Sequence, residues 1–385
     1  MTAASPESMS ADERATTAAP APLRRRRARP RPGGPRPATI GDVATLARVS
    51  IATVSRVLND RKPARPETRG RVLAAVAELD YRPSGPARAL QGQATGMLGL
   101  IMTDISQPFY TELALVVESE ARARGYTIML ANGAADNDRE AAYLELLAER
   151  RVDGILVASW GITARHVDWL SRAPVQVVLV SCEAPGVPLP AIVAASRDGA
   201  RQGAEHLIGL GHRRLAEIVG PSLSAAAGDR HAGVLEALDA AGIPAGDLAV
   251  AACGGDVATG EAAAAELLAR DPRPTAIVCY NDLVALGAMR AVRAAGLRLP
   301  EDVSVVGFDD VALAALVHPP LTTVAQPGAL MAAWAVERLV AQIAAARTGG
   351  ALPVPELLRV PCRLVVRGST CAPAELDEDD PRSTM

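Results

Sequence analysis

A chain of 385 residues exceeds one ordinary domain and suits two or three. Apolar residues make up 49%, enough for a large core, while aromatics are only 3%, so Ala, Val and Leu carry the apolar content. The net charge of −3 conceals an asymmetry: residues 1–95 balance at +9, with 17 Arg or Lys against 8 Asp or Glu, and the remainder balances at −12. A basic head on an acidic body is expected when only the head meets a polyanion, although a basic tail with no specific role gives the same count.

Five scattered Cys without a CxxC pair suit free thiols in a reducing compartment. No run approaches the ~18 apolar residues of a membrane span. Arg24 to Arg27 precede Ala-Arg-Pro-Arg-Pro rather than an apolar signal core, so a cytoplasmic protein with no membrane partner is expected. The only lysine is Lys62, which leaves the rest of the chain without a Walker or Schiff-base lysine. HExxH, GxSxG, metal-spaced clusters and nucleophile–base pairs are missing too, so no catalytic residue, cofactor or metal is expected.

In chain order, residues 1–38 are rich in Ala, Pro and Arg and read as a disordered basic arm. Residues 39–83 read as a helix-turn-helix unit. Thr39 can cap a helix from Ile40 to about Ala47, Ser50 a second from Ile51 to about Leu58, and a third runs from Pro66 to Leu79. Val43, Ala44, Ala47, Val49, Val54 and Leu58 have the spacing to pack around the turn, and Val72, Leu73, Val76 and Leu79 form a stripe on the third helix. Ile51, Ala52, Ser55 and Arg56 then share the free face of the second helix. Such a face can enter a major groove, where Arg donates two bonds to guanine, and Ser50, Thr53 and Ser55 carry hydroxyls suited to phosphate. An ordinary helical hairpin with solvated polar residues is the bland reading of the same pattern.

Residues 84–95 read as a hinge and 96–370 as a body of alternating strands and helices. Strands are expected at Met97–Met102, Thr127–Ala131, Gly154–Ala158, Val175–Val180, Leu215–Val219, Thr275–Cys279 and Val303–Gly307. The alternation implies an α/β body with parallel sheets, and its length implies two lobes. Residues 371–385 read as an acidic disordered tail. Ligands of open parallel sheets sit beyond the carboxyl ends of strands, which selects Thr103, Asp104, Phe109, Ser159, Trp160, Ser181, Tyr280, Asn281, Asp282, Asp309 and Asp310. Asp282 and Asp310 also suit helix capping, and His212 suits a structural place.

The stretches DVATLARVSIATVSRVLN, TRGRVLAAVAELDYRP, RDGARQGAEHLIGLGHRR, PTAIVCYNDLVALGAMRAV, LPEDVSVVGFDD and PPLTTVAQP closely resemble the lac repressor (LacI/GalR) family, in the family's order, from about Thr39 to Arg367. The resemblance implies a helix-turn-helix head, a two-lobed periplasmic-binding-protein-like body, and a homodimer reading a pseudo-palindromic operator on double-stranded DNA. It implies DNA contacts from Thr39, Ser50, Ile51, Ala52, Thr53, Ser55, Arg56 and Asn59, with Leu90 wedging into the minor groove. For the effector it implies Arg230, Asn281 and Asp309, then Thr103, Gln326 and the aromatic Phe109. Carboxylate, guanidinium and amide together suit hydroxyls, so a sugar or sugar derivative is the leading ligand.

Three departures bear on this. Gly85-Pro86 stands in the hinge where helix formers are usual, which weakens or shortens a hinge helix. Arg48 and Asp80 stand where Gly is frequent; a positive φ there costs on the order of 1 kcal/mol each. Ser181 stands where sugar-responsive members often carry Asp, which keeps a nucleoside or other metabolite in play. The expected function is a transcriptional repressor whose operator affinity is controlled by a small polar, sugar-like ligand; release by an inducer is the commoner logic the resemblance implies, and the sequence does not give the sign. Corepression by a nucleoside or another metabolite, an exported solute-binding protein and an enzyme with a regulatory head are the rivals. The tail AELDEDDPRSTM carries no leucine heptad, so a dimer rather than a tetramer is expected.

Overall fold

The computed structural model describes residues 38–58, 65–81, 94–222 and 224–374. The chain divides between Ser84 and Gly85 into two compact units, a head and a body.

Among the described residues the head has three helices: α1 (Ile40–Ala47), α2 (Ile51–Leu58) and α3 (Pro66–Glu78). Thr39 starts α1 with a capping box, in which its hydroxyl accepts from the Asp42 N–H at 3.3 Å and the Asp42 carboxylate accepts from the Thr39 N–H at 2.8 Å. Arg48 ends α1 in the left-handed region (φ 53°), and the Val49 N–H then returns to the Ala44 carbonyl at 3.0 Å. Asp80, past the end of α3, is also left-handed (φ 42°).

Val43, Ala44, Ala47, Val54, Val57, Val72, Ala75 and Tyr81 form the head's core. Leu58 and Val49 are partly buried against this core as expected, and Val57, not expected there, is fully buried beside them. One expectation needs correction. On α3, Leu73 is exposed, because the inward stripe runs 72, 75, 76, 79 and Leu73 lies a hundred degrees around the helix from Val72.

The body contains two six-stranded sheets. In the first lobe the order is β11-β5-β4-β3-β1-β2, all parallel, from β1 (Met97–Met102), β2 (Thr127–Asn132), β3 (Gly154–Ala158), β4 (Gln176–Val180), β5 (Ala191–Ala194) and β11 (Leu357–Val360). In the second lobe the order is β12-β10-β9-β8-β6-β7, from β6 (Leu215–Val219), β7 (Ala249–Ala252), β8 (Ala276–Cys279), β9 (Ser304–Asp309), β10 (Thr322–Ala325) and β12 (Arg363–Val365). Only the β10–β12 pair in these sheets is antiparallel. The expected strands all form; β5, β7, β10, β11 and β12, three or four residues each, went unread because so short a run carries no period.

Helices α4 (Pro108–Ala123), α5 (Asn137–Glu149), α6 (Ala164–Leu170) and α11 (Gly328–Thr348) serve the first lobe, and α7 (Ser196–Gly209), α8 (Ala225–Ala240), α9 (Val257–Leu268) and α10 (Asp282–Ala294) serve the second. By length and composition alone α11 could cross a membrane. Its Met331, Ala332, Ala335, Val336, Leu339 and Ile343 are buried in the body's core, which accounts for the apolar content.

The chain crosses between lobes at three places: Ala195 between β5 and α7, Gln326–Pro327 between β10 and α11, and Pro361–Cys362 between β11 and β12. His212 is a buried brace of the second lobe, bonded to Thr275 (2.9 Å), Ser304 (3.2 Å) and the Cys371 carbonyl (2.9 Å).

Candidate functional site

In the head, α2 shows two faces. Val54 and Val57 point inward, while Ile51 (53% exposed), Ala52 and Arg56 stand outward and Ser55 is half-buried. The hydroxyls are already placed. Ser50 accepts from the Thr53 N–H at 3.2 Å, and the Ser50 and Thr53 hydroxyls bond each other at 2.9 Å. The Thr39 hydroxyl donates to the Asp42 carboxylate at 2.7 Å. These residues therefore fix the ends of α1 and α2 beside the outward face. Asn59, Leu90 and the Gly85-Pro86 hinge lie outside the described residues, as do most of the basic arm and the acidic tail.

In the body, a cleft of about 300 Å³ opens between the lobes at the carboxyl ends of the strands. Its floor is a buried polar group from the second lobe. Arg230, on α8, is 7% exposed and its guanidinium carbon lies over the Phe308 ring, 3.7 Å from its centroid. One guanidinium nitrogen donates to the Tyr280 carbonyl at 2.5 Å, another faces the Asp309 carboxylate at 3.6 Å, and Nε has no partner among the described residues. Gln326 donates to Asp309 at 2.6 Å from the second lobe crossing.

Burial pushes the Asp309 carboxyl up to about 6; the Arg230 cation and the Gln326 amide pull it back, and Glu112 adds to the rise. Asp309 also has φ 118°, a region that favours glycine and stores roughly 1–3 kcal/mol for another residue. Such a carboxylate is charged near neutral pH, is poorly solvated, and can accept from a ligand hydroxyl.

Opposite this group stands a largely apolar wall from the first lobe, with Phe109 and Trp160. The structure thus brings Phe109, Arg230, Asn281, Asp309 and Gln326 together around one cleft. Thr103 does not join them and is corrected. It is 2% exposed, and its hydroxyl accepts from the Trp160 N–H at 2.8 Å, so it places the neighbouring aromatic instead.

Asn281 lines the cleft with its amide already engaged: it caps α10 by accepting from the Val284 N–H (2.8 Å) and donates to the Gly255 carbonyl (3.0 Å). Asp282 and Asp310 do not line it. Asp282 is buried and accepts from Thr323 (2.5 Å) and from the Val311 N–H (2.9 Å), while Asp310 pairs with Arg367 (2.6 Å). Asp104 closes its own turn by accepting from Ser106, and Ser159 donates to the Gly161 carbonyl.

Sequence reasoning missed several lining residues, among them Gln107, Glu183, Ser196, Asp229 and Arg359. Gln107 lies just before α4, within reach of the strand-end rule that chose Phe109; it bonds across the cleft to the Gly255 carbonyl at 3.3 Å and to Asn281 at 3.5 Å. Two further bonds join the lobes, from the Ala225 N–H to the Trp160 carbonyl (3.1 Å) and from the Ala312 N–H to Glu112 (3.3 Å). Ser196 and Arg359 depend on β5 and β11, whose brevity hid them. The second lobe also makes room for Tyr280: a Cβ on Gly220 would sit 2.4 Å from its ring.

A helical head with one outward helix face and a two-lobed body around a polar cleft define a DNA-binding regulator of transcription, not an enzyme. Residues 39–84 match the family model for bacterial regulatory proteins of the lacI family, and residues 95–365 that for periplasmic binding proteins and the sugar binding domain of the LacI family. The chain belongs to the LacI family. The HTH-type transcriptional regulator DegA of Bacillus subtilis is 35% identical over 336 residues, covering 86% of this chain and 98% of DegA. A crystal structure of the lac repressor dimer bound to operator and the anti-inducer ONPF is 30% identical with a TM-score of 0.75, covering 88% of this chain and all of that one. A complex of the regulator CelR with cellobiose is 34% identical with a TM-score of 0.66, covering 86% of this chain and 99% of that chain.

Proposed function

We propose that the protein is a cytoplasmic, homodimeric repressor whose affinity for a pseudo-palindromic operator is set by a sugar or sugar derivative held between the lobes. The observation that carries this reading is the Arg230–Asp309–Gln326 group on the floor of the cleft. It offers a carboxylate acceptor and a guanidinium donor beside aromatic rings, the combination that sorts hydroxyl groups on a compact ring. The sugar-binding description of the matching family model and the cellobiose complex of a relative support the ligand class. In the head, the DNA contact falls to Ile51, Ala52, Ser55 and Arg56, with Thr39, Ser50 and Thr53 at the phosphates. For the dimer, the support is the dimeric lac repressor that the chain resembles.

The coupling is a difference in ligand affinity between two arrangements of the lobes, typically worth ~1–3 kcal/mol. Its test is a gel-shift assay of the full chain on its own promoter region, with a panel of hexoses, pentoses, their neutral disaccharides, sugar phosphates and nucleosides. One neutral sugar should change the fraction of specifically retarded DNA in the wild type and not in Arg230→Ala. A specific shift that no sugar alters, but a nucleoside does, would replace the ligand class; no specific shift under any condition would overturn the reading.

A further inference from the structure

We infer that Glu140 and His166, a buried acid and imidazole behind the aromatic wall of the cleft, form a proton-operated brace that positions Trp160. The reading concerns the wall itself and holds whichever ligand the cleft takes.

Both side chains are fully enclosed in the first lobe. Glu140, in the first turn of α5, and His166, in the first turn of α6, are each 0% exposed, and the His166 Nε2 lies 3.7 Å from the Glu140 carboxylate. Neither carboxylate oxygen nor that nitrogen completes a hydrogen bond among the described residues. The space is made for the acid: a Cβ on Gly133, just past β2, would sit 2.5 Å from the Glu140 Cγ. A well-packed apolar pair stabilises such a place as well or better, so an acid kept there points to a task other than folding.

A short chain of bonds joins the acid to the wall. The Thr103 hydroxyl, just past β1, accepts from the Trp160 N–H at 2.8 Å. The Ser159 and Thr103 hydroxyls both stand where they favour the charged form of Glu140. Ionised Glu140 takes the Thr103 proton, which turns the lone pairs of that oxygen to the Trp160 N–H. Protonated Glu140 offers its own O–H to the same oxygen and weakens its hold on Trp160. The Trp160 carbonyl in turn accepts from the N–H of Ala225, the first residue of α8 in the second lobe, at 3.1 Å. One proton on Glu140 therefore reaches the wall and, through it, a bond between the lobes.

The surroundings decide which group carries that proton. Burial raises the Glu140 carboxyl, against the pull of the Ser159 and Thr103 hydroxyls and with a push from Asp136. Burial lowers the His166 imidazole; Arg165 adds to the fall and Asp138 opposes it. The His166 Nδ1 accepts from the Thr163 N–H at 3.3 Å, part of the cap of α6, and meets the Thr163 hydroxyl at 2.8 Å. A second ring proton would sit on Nδ1 and break that cap. His166 thus stays neutral with its hydrogen on Nε2, toward Glu140, and Glu140 is the group that changes charge. The other ionisable neighbours are Tyr110 of α4 and Cys182 beyond β4. Burial pushes the Tyr110 phenol well above its usual value and the Cys182 thiol up to about 12, so neither changes charge near neutral pH. The brace tightens as pH rises through the Glu140 value and slackens below it.

The experiment is fluorine NMR of the full chain with fluorotryptophan at its three Trp positions, titrated from pH 5 to 9, the resonances assigned by Trp169→Phe and Trp334→Phe. The Trp160 resonance should move with pH. Asp309 lines the same cleft with a carboxyl pushed up to about 6, so the decisive quantity is the difference between wild type and Glu140→Gln, which keeps the shape of the neutral acid at every pH. That difference should be a one-proton step, and His166→Phe, which removes the Nε2–H donor, should move its midpoint upward. Thr103→Ser should titrate as wild type and Thr103→Val should lack the step, a pair that decides the matter even where Glu140→Gln does not fold. Identical curves for wild type and Glu140→Gln, equal curves for Thr103→Ser and Thr103→Val, or a midpoint that stays or falls in His166→Phe each overturns the brace.

Discussion

The head and the body hold their candidate residues in opposite ways. In the head, Ile51, Ala52 and Arg56 stand on the outside of a helix whose other side is core. In the body, Arg230 and Asp309 are nearly closed off from solvent and lean on each other, on Gln326 and on two aromatic rings. An outward residue can change what is bound without changing whether the chain folds. An inward charge cannot, because its neighbours were placed to balance it. The contrast can be tested at descending scale.

The largest effect is expected from Arg230→Met. It leaves the Asp309 carboxylate buried without its cation, a loss of about 3 kcal/mol in urea unfolding at pH 8, and Asp309→Asn added to it should restore most of that. Single and double variants of equal stability would erase the contrast from the body's side. Arg56→Ala should come next, costing about 1–3 kcal/mol of specific operator binding by fluorescence anisotropy, with an unmoved unfolding midpoint. A shifted midpoint with intact specificity would erase it from the head's side.

A smaller effect lies in pH. In the empty protein the Asp309 carboxyl has been pushed up to about 6. A ligand hydroxyl that donates to it favours the charged form and lowers that value, so affinity is full above pH 6 and falls below it. The fall is at most about tenfold per pH unit, readable by titration calorimetry between pH 5 and 7.5. Affinity flat across that range would remove Asp309 from ligand contact. On the empty protein the sign reverses: the raised value means this group's contribution to stability is present at low pH and is lost as pH rises through about 6. The smallest effect is Arg48→Gly, which relieves the left-handed turn (φ 53°) and should raise the head's stability by about 0.5 kcal/mol without touching DNA specificity.

How far the sequence could be read follows the same divide. The outward face of α2 and most of the head's core came from helical spacing, because in a short helix the period alone settles which side is buried. Leu73 misled because a large apolar residue invites a core place that its angle on α3 does not permit. The long strands of the body were legible as unbroken apolar runs, and with them the strand-end candidates Asp309 and Phe109; Arg230, on a helix, came only from the family resemblance. The side lined by Ser196 and Arg359 was not, since both hang on strands of four residues. Thr103 failed for a different reason: it does follow a strand, but it is buried away from the cleft and its hydroxyl accepts from the Trp160 N–H, a partner 57 positions away that no local pattern reveals.

The three crossings between the lobes carry a mechanical consequence. Segments tied at Ala195, at Gln326–Pro327 and at Pro361–Cys362 cannot slide apart freely; they permit a swing or a twist and resist separation. Gln326 belongs to one of these tethers and grips Asp309 directly. Any group hydrogen-bonded to Asp309 would therefore stand one bond away from the joint itself.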